Sequence, residues 1–146
     1  MQDNVLPLQR LLSRLTDALD GYREGADLAE APMMVTLMSY LYSTHLQHLR
    51  QLTDALQARG IATDEAGSAL VMVHKAVLNI RALLSGLDER ILPGLIDGEE
   101  RLIDAYDAGV AAAGDAELRT LLQAQRATLV RRIAELAGLR AHADVG

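Results

Sequence analysis

Asp20-Gly21-Tyr22-Arg23-Glu24-Gly25 returns 84 positions later as Asp104-Ala105-Tyr106-Asp107-Ala108-Gly109. The shared pattern is Asp-x-Tyr-x-x-Gly, and the match continues without a gap. Ala29 meets Ala113, Thr36 meets Thr120, Leu37 meets Leu121, Thr44 meets Thr128 and Leu52 meets Leu136. Conservative partners fill in between, among them Met34 with Leu118, Met38 with Leu122 and His48 with Arg132. A constant offset over roughly thirty residues marks an internal repeat. The unit that repeats has the length and apolar spacing of a helical hairpin, so the chain is expected to hold two of them.

Composition agrees with helices. Half of the 146 residues are apolar, Phe and Trp are absent, and the only aromatic residues are Tyr22, Tyr40, Tyr42 and Tyr106. The core must then be built from Leu, Ala, Val, Ile and Met, and of these Leu, Ala and Met favour helix. One domain over residues 1–146 is expected, long enough to bury a substantial core. With no cysteine, disulfides, thiolate metal sites and cysteine nucleophiles are excluded. The net charge is −6 with acids and bases interspersed, which argues against nucleic acid as a partner. No apolar run reaches the roughly 20 residues of a membrane span. Met1-Gln2-Asp3-Asn4 has neither the basic region nor the apolar stretch of a signal peptide, so a cytoplasmic protein is expected.

Along the chain, Leu8, Leu11, Leu12, Leu15, Leu19, Tyr22, Ala26 and Ala29 recur at spacings of three and four. They predict a helix from about Val5 to Glu30, with Pro7 in its first turn and Ala31-Pro32 as its stop. A second helix is expected from Met33 to Arg59, with Leu37, Leu41, Thr44, His45, His48, Leu52, Ala55 and Leu56 near one face and Gly60 as terminator. A short third helix should cover Leu70–Leu84, broken at Ser85-Gly86, with Asp88 capping the next element. That element runs from Glu89 to Ala113 with a kink or turn at Pro93-Gly94. Asp115 can cap the last helix, from Ala116 to about Arg140, and Ala141 to Gly146 should fray. Two long hairpins joined by a long crossover define a topology: an all-α, ferritin-like, up-down-down-up four-helix bundle with an extra short helix in the crossover.

The sequence resembles the bacterial DUF2383 family of ferritin-like four-helix-bundle proteins. The matching pieces are Asp20-Gly21-Tyr22-Arg23, the crossover stretch from His74-Lys75-Ala76-Val77 to Gly86, Gly98-Glu99-Glu100 with Ala105-Tyr106, and Leu118-Arg119-Thr120-Leu121-Leu122. Their order and spacing carry the resemblance, which extends over nearly the whole chain. The family has no firmly established activity, so it implies a fold and raises one chemical question, that of a dimetal centre.

A dimetal carboxylate centre takes one Glu from each of two helices and Glu-x-x-His from each of the other two. No Glu-x-x-His occurs in this chain. If the repeat built a symmetric site, Asp20 and Asp104 would supply it from the outgoing helices. At the same level the return helices carry Thr44 and Thr128, with Gln47 and Arg131 three residues on. On this reading the site is degenerate, and Asp20, Asp104 and the two Thr form a buried polar layer near Tyr22 and Tyr106 or a solvated face. A lopsided alternative uses His45 and His48, three apart on one helix, with Asp20 or Glu24 and Glu99 as a mononuclear site. Asp97, Glu99, Glu100 and Asp104 form an acidic run that reads as a solvated face balanced by Arg101. His74 and His142 read as surface residues. No phosphate loop or nucleophile elbow is present.

Two functional readings follow. The first is a non-enzymatic bundle, structural, interacting or stress-associated, needing no cofactor. In it the apolar surface of Leu70–Leu84 and Met33–Met38 closes a homodimer or higher homo-oligomer. The second is a metal-binding ferritin-like protein, with oxidase-type chemistry on iron or another divalent ion. Its candidate ligands are Asp20, Glu24, His45, His48, Glu99 and Asp104. An apolar small ligand in the Leu- and Met-lined core is a third reading.

Overall fold

The computed structural model describes residues 5–30, 32–63 and 92–145. Within them lie four helices and no strand: α1 (Leu6–Leu28), α2 (Pro32–Ala58), α3 (Leu92–Ala112) and α4 (Ala116–Val145). The helix expected over Leu70–Leu84, its break at Ser85-Gly86, the cap at Asp88 and His74 all lie outside the described residues. The described part of α3 starts at Leu92, so the turn expected at Pro93-Gly94 falls on its first residues. None of the described helices is long and apolar enough to cross a membrane.

Each helix end has a local cause. Pro7 stands in the first turn of α1, where a missing N–H costs nothing. At the other end Ala29 leaves the helix for an extended conformation (φ −67°, ψ 133°) shortly before Pro32. Gly60, with φ 72°, ends α2. Its N–H donates to Gln57 O at 3.0 Å, and the N–H of Ile61 reaches Leu56 O at 3.0 Å. That pair of bonds satisfies carbonyls the helix leaves orphaned, and Ile61 packs on the core beneath it. Asp115 caps α4 by accepting from the N–H of Leu118 at 2.8 Å. Arg59, just beyond α2, grips the same carboxylate through Nε at 2.7 Å and a terminal nitrogen at 3.0 Å. This fork, then the Leu118 N–H, holds the Asp115 carboxyl well below its usual range. The last helix was expected to end near Arg140 and instead runs to Val145. The stretch from Leu139 to Val145 has no Gly or Pro, and Ala141 and Ala143 favour helix.

Contacts fix the helix directions. Gly25 of α1 lies against Met38 of α2, and Gln9 at the other end of α1 donates to Ala62 O at 3.0 Å, so α1 and α2 are antiparallel. Gly109 of α3 lies against Leu8 and Leu11, while Tyr22 meets Glu99, so α1 and α3 are also antiparallel. Arg59 with Asp115, Gln51 with Gln125 and Tyr40 with Arg132 make α2 and α4 antiparallel. The α2–α4 face is the loosest of the four, held mainly through long side chains. Helix boundaries keep the sequence offset: α1 and α3 end at Leu28 and Ala112, and α2 and α4 begin at Pro32 and Ala116, each pair 84 residues apart.

The core has two apolar clusters. One gathers Leu8, Leu11, Leu12, Leu15, Leu52, Leu56, Leu102, Tyr106, Leu118, Leu122 and Leu129. The other holds Tyr22, Met34, Met38, Leu41, Ile96 and Leu136. Each fully buried Leu contributes about 1.5–3 kcal/mol of transfer free energy. Between the clusters, α2 places Thr44, His45 and His48, and α3 places Glu99, all buried.

Candidate functional site: a buried tyrosine–glutamate–histidine cluster

Glu99 occupies an apolar stripe. Ile96, Glu99, Leu102 and Tyr106 follow at spacings of three and four, and all four are buried. A carboxyl group 1 % exposed needs partners, because burying one alone is costly. Two arrive at the same oxygen: the Tyr22 hydroxyl from α1 donates to Glu99 Oε1, and His45 Nε2 from α2 lies 2.8 Å from it. The Tyr22 and His45 rings stack with centroids 5.4 Å apart and planes 14° apart. One turn along α2, the His48 ring stands edge-on to His45 at 6.3 Å. Three helices thus meet at one carboxyl group.

A second buried set ties in α4. The Tyr106 hydroxyl donates to Gln125 Oε1 at 2.7 Å. The Gln125 amide donates to His48 O and to Gln51 Oε1, both at 3.1 Å. Arg132 of α4 lies with its guanidinium carbon 4.2 Å from the Tyr40 ring centroid.

Burial and neighbours set the protonation states. Burial, and then the adjacent Glu99, push the Tyr22 hydroxyl well above the usual phenol range. Tyr106 is raised for the same two reasons, in the same order. His48 is lowered to about 4, first by burial, then by the His45 and Arg132 charges, against the pull of Glu99. At neutral pH both phenols are therefore donors and His48 is uncharged.

Four enclosed atoms lack a hydrogen-bond partner here: Glu99 Oε2, His45 Nδ1, His48 Nδ1 and Arg132 Nε. His45 Nε2 faces the carboxyl oxygen, so Nδ1 is the ring nitrogen left without a partner. Orphans of this kind are where buried water sits, or where a cation binds.

The predicted residues divide accordingly. His45, His48 and Glu99 come together. Asp20 is half-buried on α1 and pairs with Arg23 at 3.3 Å. Glu24 is half-buried. Asp104 is exposed and lines a groove between α1 and α3. Thr44 and Thr128 hydrogen-bond to their own helices, at Tyr40 O and Ala124 O. The layer imagined from Asp20, Asp104 and the two Thr does not assemble. The acidic run divides as well: Asp97, Glu100 and Asp104 are exposed, Arg101 pairs with Asp97 at 2.7 Å, and Glu99 turns inward. Arg131 faces solvent, and Arg132, the repeat equivalent of His48, is the arginine that acts on the cluster.

A dimetal centre does not fit this donor set. It needs four inward carboxylates, and among the described residues Glu99 is the only buried carboxylate. Among the described residues no three His, Asp or Glu side chains are grouped to hold a metal. Sequence reasoning missed Gln125 and Arg132. The signal was available, since Leu122, Gln125, Leu129, Arg132 and Leu136 form one stripe on α4.

These features define a class: an all-helical bundle with a buried polar centre. The chain belongs to the DUF2383 family, described as a domain of unknown function, whose sequence profile matches residues 3–112. No curated protein and no solved structure matches it.

Proposed function

We propose that the protein is a non-enzymatic ferritin-like bundle with a structural or interaction role, its dimetal site degenerate. The observation that carries the reading is how the central polar groups are used. Glu99 takes hydrogen bonds from Tyr22 and His45, and Tyr106 is tied to Gln125. Arg132 stands where the repeat would place a second histidine, a fixed cation where a metal ligand is wanted. The ferritin-like assignment is supported by antiparallel contacts of α1 with α2 and α3 and of α4 with α2, which give an up-down-down-up order. The common offset of the helix boundaries supports two repeated hairpins. A buried polar layer of this kind sets helix register, because any slip leaves its members unpaired.

A second reading, a metal-binding ferritin-like protein, is favoured by one observation: Nδ1 of His45 and of His48 and Oε2 of Glu99 are enclosed and unpartnered. Metal analysis of protein purified without a histidine tag separates the two. The first reading expects less than about a tenth of an equivalent of bound metal, and no rise in melting temperature with added iron, zinc or manganese. Stoichiometric metal with iron-dependent oxygen consumption would establish the second.

A further inference from the structure

The outer face of α1 is divided by charge. Its first half carries Arg10 and Arg14 and no acid, whereas its second half carries Asp17, Asp20, Glu24 and Asp27 against Arg23 alone. Pro7, Arg10, Arg14, Asp17, Gly21, Glu24 and Leu28 follow at alternating spacings of three and four, so they form one stripe. The core of α1, on Leu8, Leu11, Leu12, Leu15 and Leu19, faces elsewhere. Beside the basic half runs a groove of about 360 Å³, where Arg101 and Asp104 of α3 join Pro7, Arg10 and Arg14 over Ala105 and Ala108. Beyond it, Gly21 and Gly98 have open space where a side chain would stand.

We propose that this face is an isologous docking surface for a second copy of the chain, with the two α1 helices antiparallel. A two-fold axis near the middle of α1 sets the basic half of each copy against the acidic half of the other, as a self-complementary patch requires. With the axis at Asp17, Arg10 faces Glu24 of the partner subunit and Arg14 faces Asp20 of the partner subunit. Within one chain Asp20 is paired with Arg23 at 3.3 Å, a contact that an approaching arginine can share. The Asp17 carboxyl is pushed up to about 6 by burial and by Asp20, with Arg14 acting the other way. Glycine and alanine along the stripe and groove let two helices approach closely. Exposed ion pairs are individually weak, so the contact is a low-affinity one that salt dissolves. This deepens the interaction reading of the bundle and is independent of whether metal binds.

Sedimentation velocity on the full chain in low and high salt tests it. The expected result is concentration-dependent dimerisation at low ionic strength, weakened about tenfold or more in 0.5 M salt. The paired variant Arg10→Glu with Arg14→Glu sediments as monomer, and so does Asp20→Arg with Glu24→Arg. Mixed together, the two variants form a heterodimer, which misfolding of either would not produce. Circular dichroism of each confirms that it is folded. A wild-type chain that is monomeric throughout, a dimer indifferent to both reversals, or folded variants that fail to associate on mixing would each overturn the proposal. So would a monomer whose basic groove takes up inorganic pyrophosphate instead.

Discussion

His48 carries the titration that bears most on this core. Its folded form stays uncharged down to about pH 4, whereas an unfolded histidine titrates near its usual 6.5. A lowered histidine pKa gives stability that is complete above the unfolded value and is lost as pH falls toward the folded one. The window is thus about pH 6.5 down to 4, with a slope of at most about 1.4 kcal/mol per pH unit. Asp17 works in the opposite direction, since its raised carboxyl favours the fold most below the pKa of an unfolded aspartate and loses that favour as pH rises through about 6. Asp17 is half-exposed and screened, so its share is smaller. His48→Gln isolates the first effect. By urea denaturation, the stability difference between wild type and variant should narrow by about 1–2 kcal/mol from pH 7 to 4.5. A flat difference would show that His48 does not titrate with folding. At this scale the sequence was partly readable. The spacing of His45 and His48 placed both on the core side of α2, but nothing local told Glu99 from Asp97 or Glu100, because all three occur in one acidic run. Only the phase of Ile96, Leu102 and Tyr106 sorts them.

Among the elements, the end of α2 rests on one backbone conformation. Gly60 has positive φ and open space where a Cβ would be, so a side chain there meets conformational strain rather than collision. Gly60→Ala should cost about 1–2 kcal/mol with an unchanged denaturant slope. Gly114→Ala, in the connection between α3 and α4, has no positive φ and open space too, and should change stability by less than about 0.5 kcal/mol. Equal effects at the two sites would refute the conformational account. Helix boundaries were legible where punctuation is strong: Pro7, Pro32 and Gly60 act where a sequence reading puts them. The far end of α4 was not, because its last residues lack amphipathic spacing and continue as helix through alanine propensity alone.

For the whole molecule, the polar layer divides the core without dividing the domain. Leu12 belongs to one apolar cluster and Ile96 to the other. Leu12→Ala should cost about 2–5 kcal/mol and Ile96→Val about 0.5–1.5 kcal/mol. The double variant should lose their sum to within about 0.5 kcal/mol, in a single cooperative transition. Two separable transitions would mean that the layer is a seam. The all-helical architecture was plain in the Leu and Ala periodicity. Which helices exchange polar contacts was not, since Tyr22 with Glu99 and Gln125 with His48 join residues 77 apart in the chain.

Tyr22 and Tyr106 stand at equivalent places in the repeat, yet one donates to a carboxyl and the other to a carboxamide. Two identical hairpins assembled as a symmetric pair would have to present the same acceptor twice, and two carboxyl groups near one centre would repel. A single continuous chain is free of that constraint. It can keep one acid and make the other contact neutral, so among the described residues the buried centre holds one carboxyl where strict symmetry would impose two.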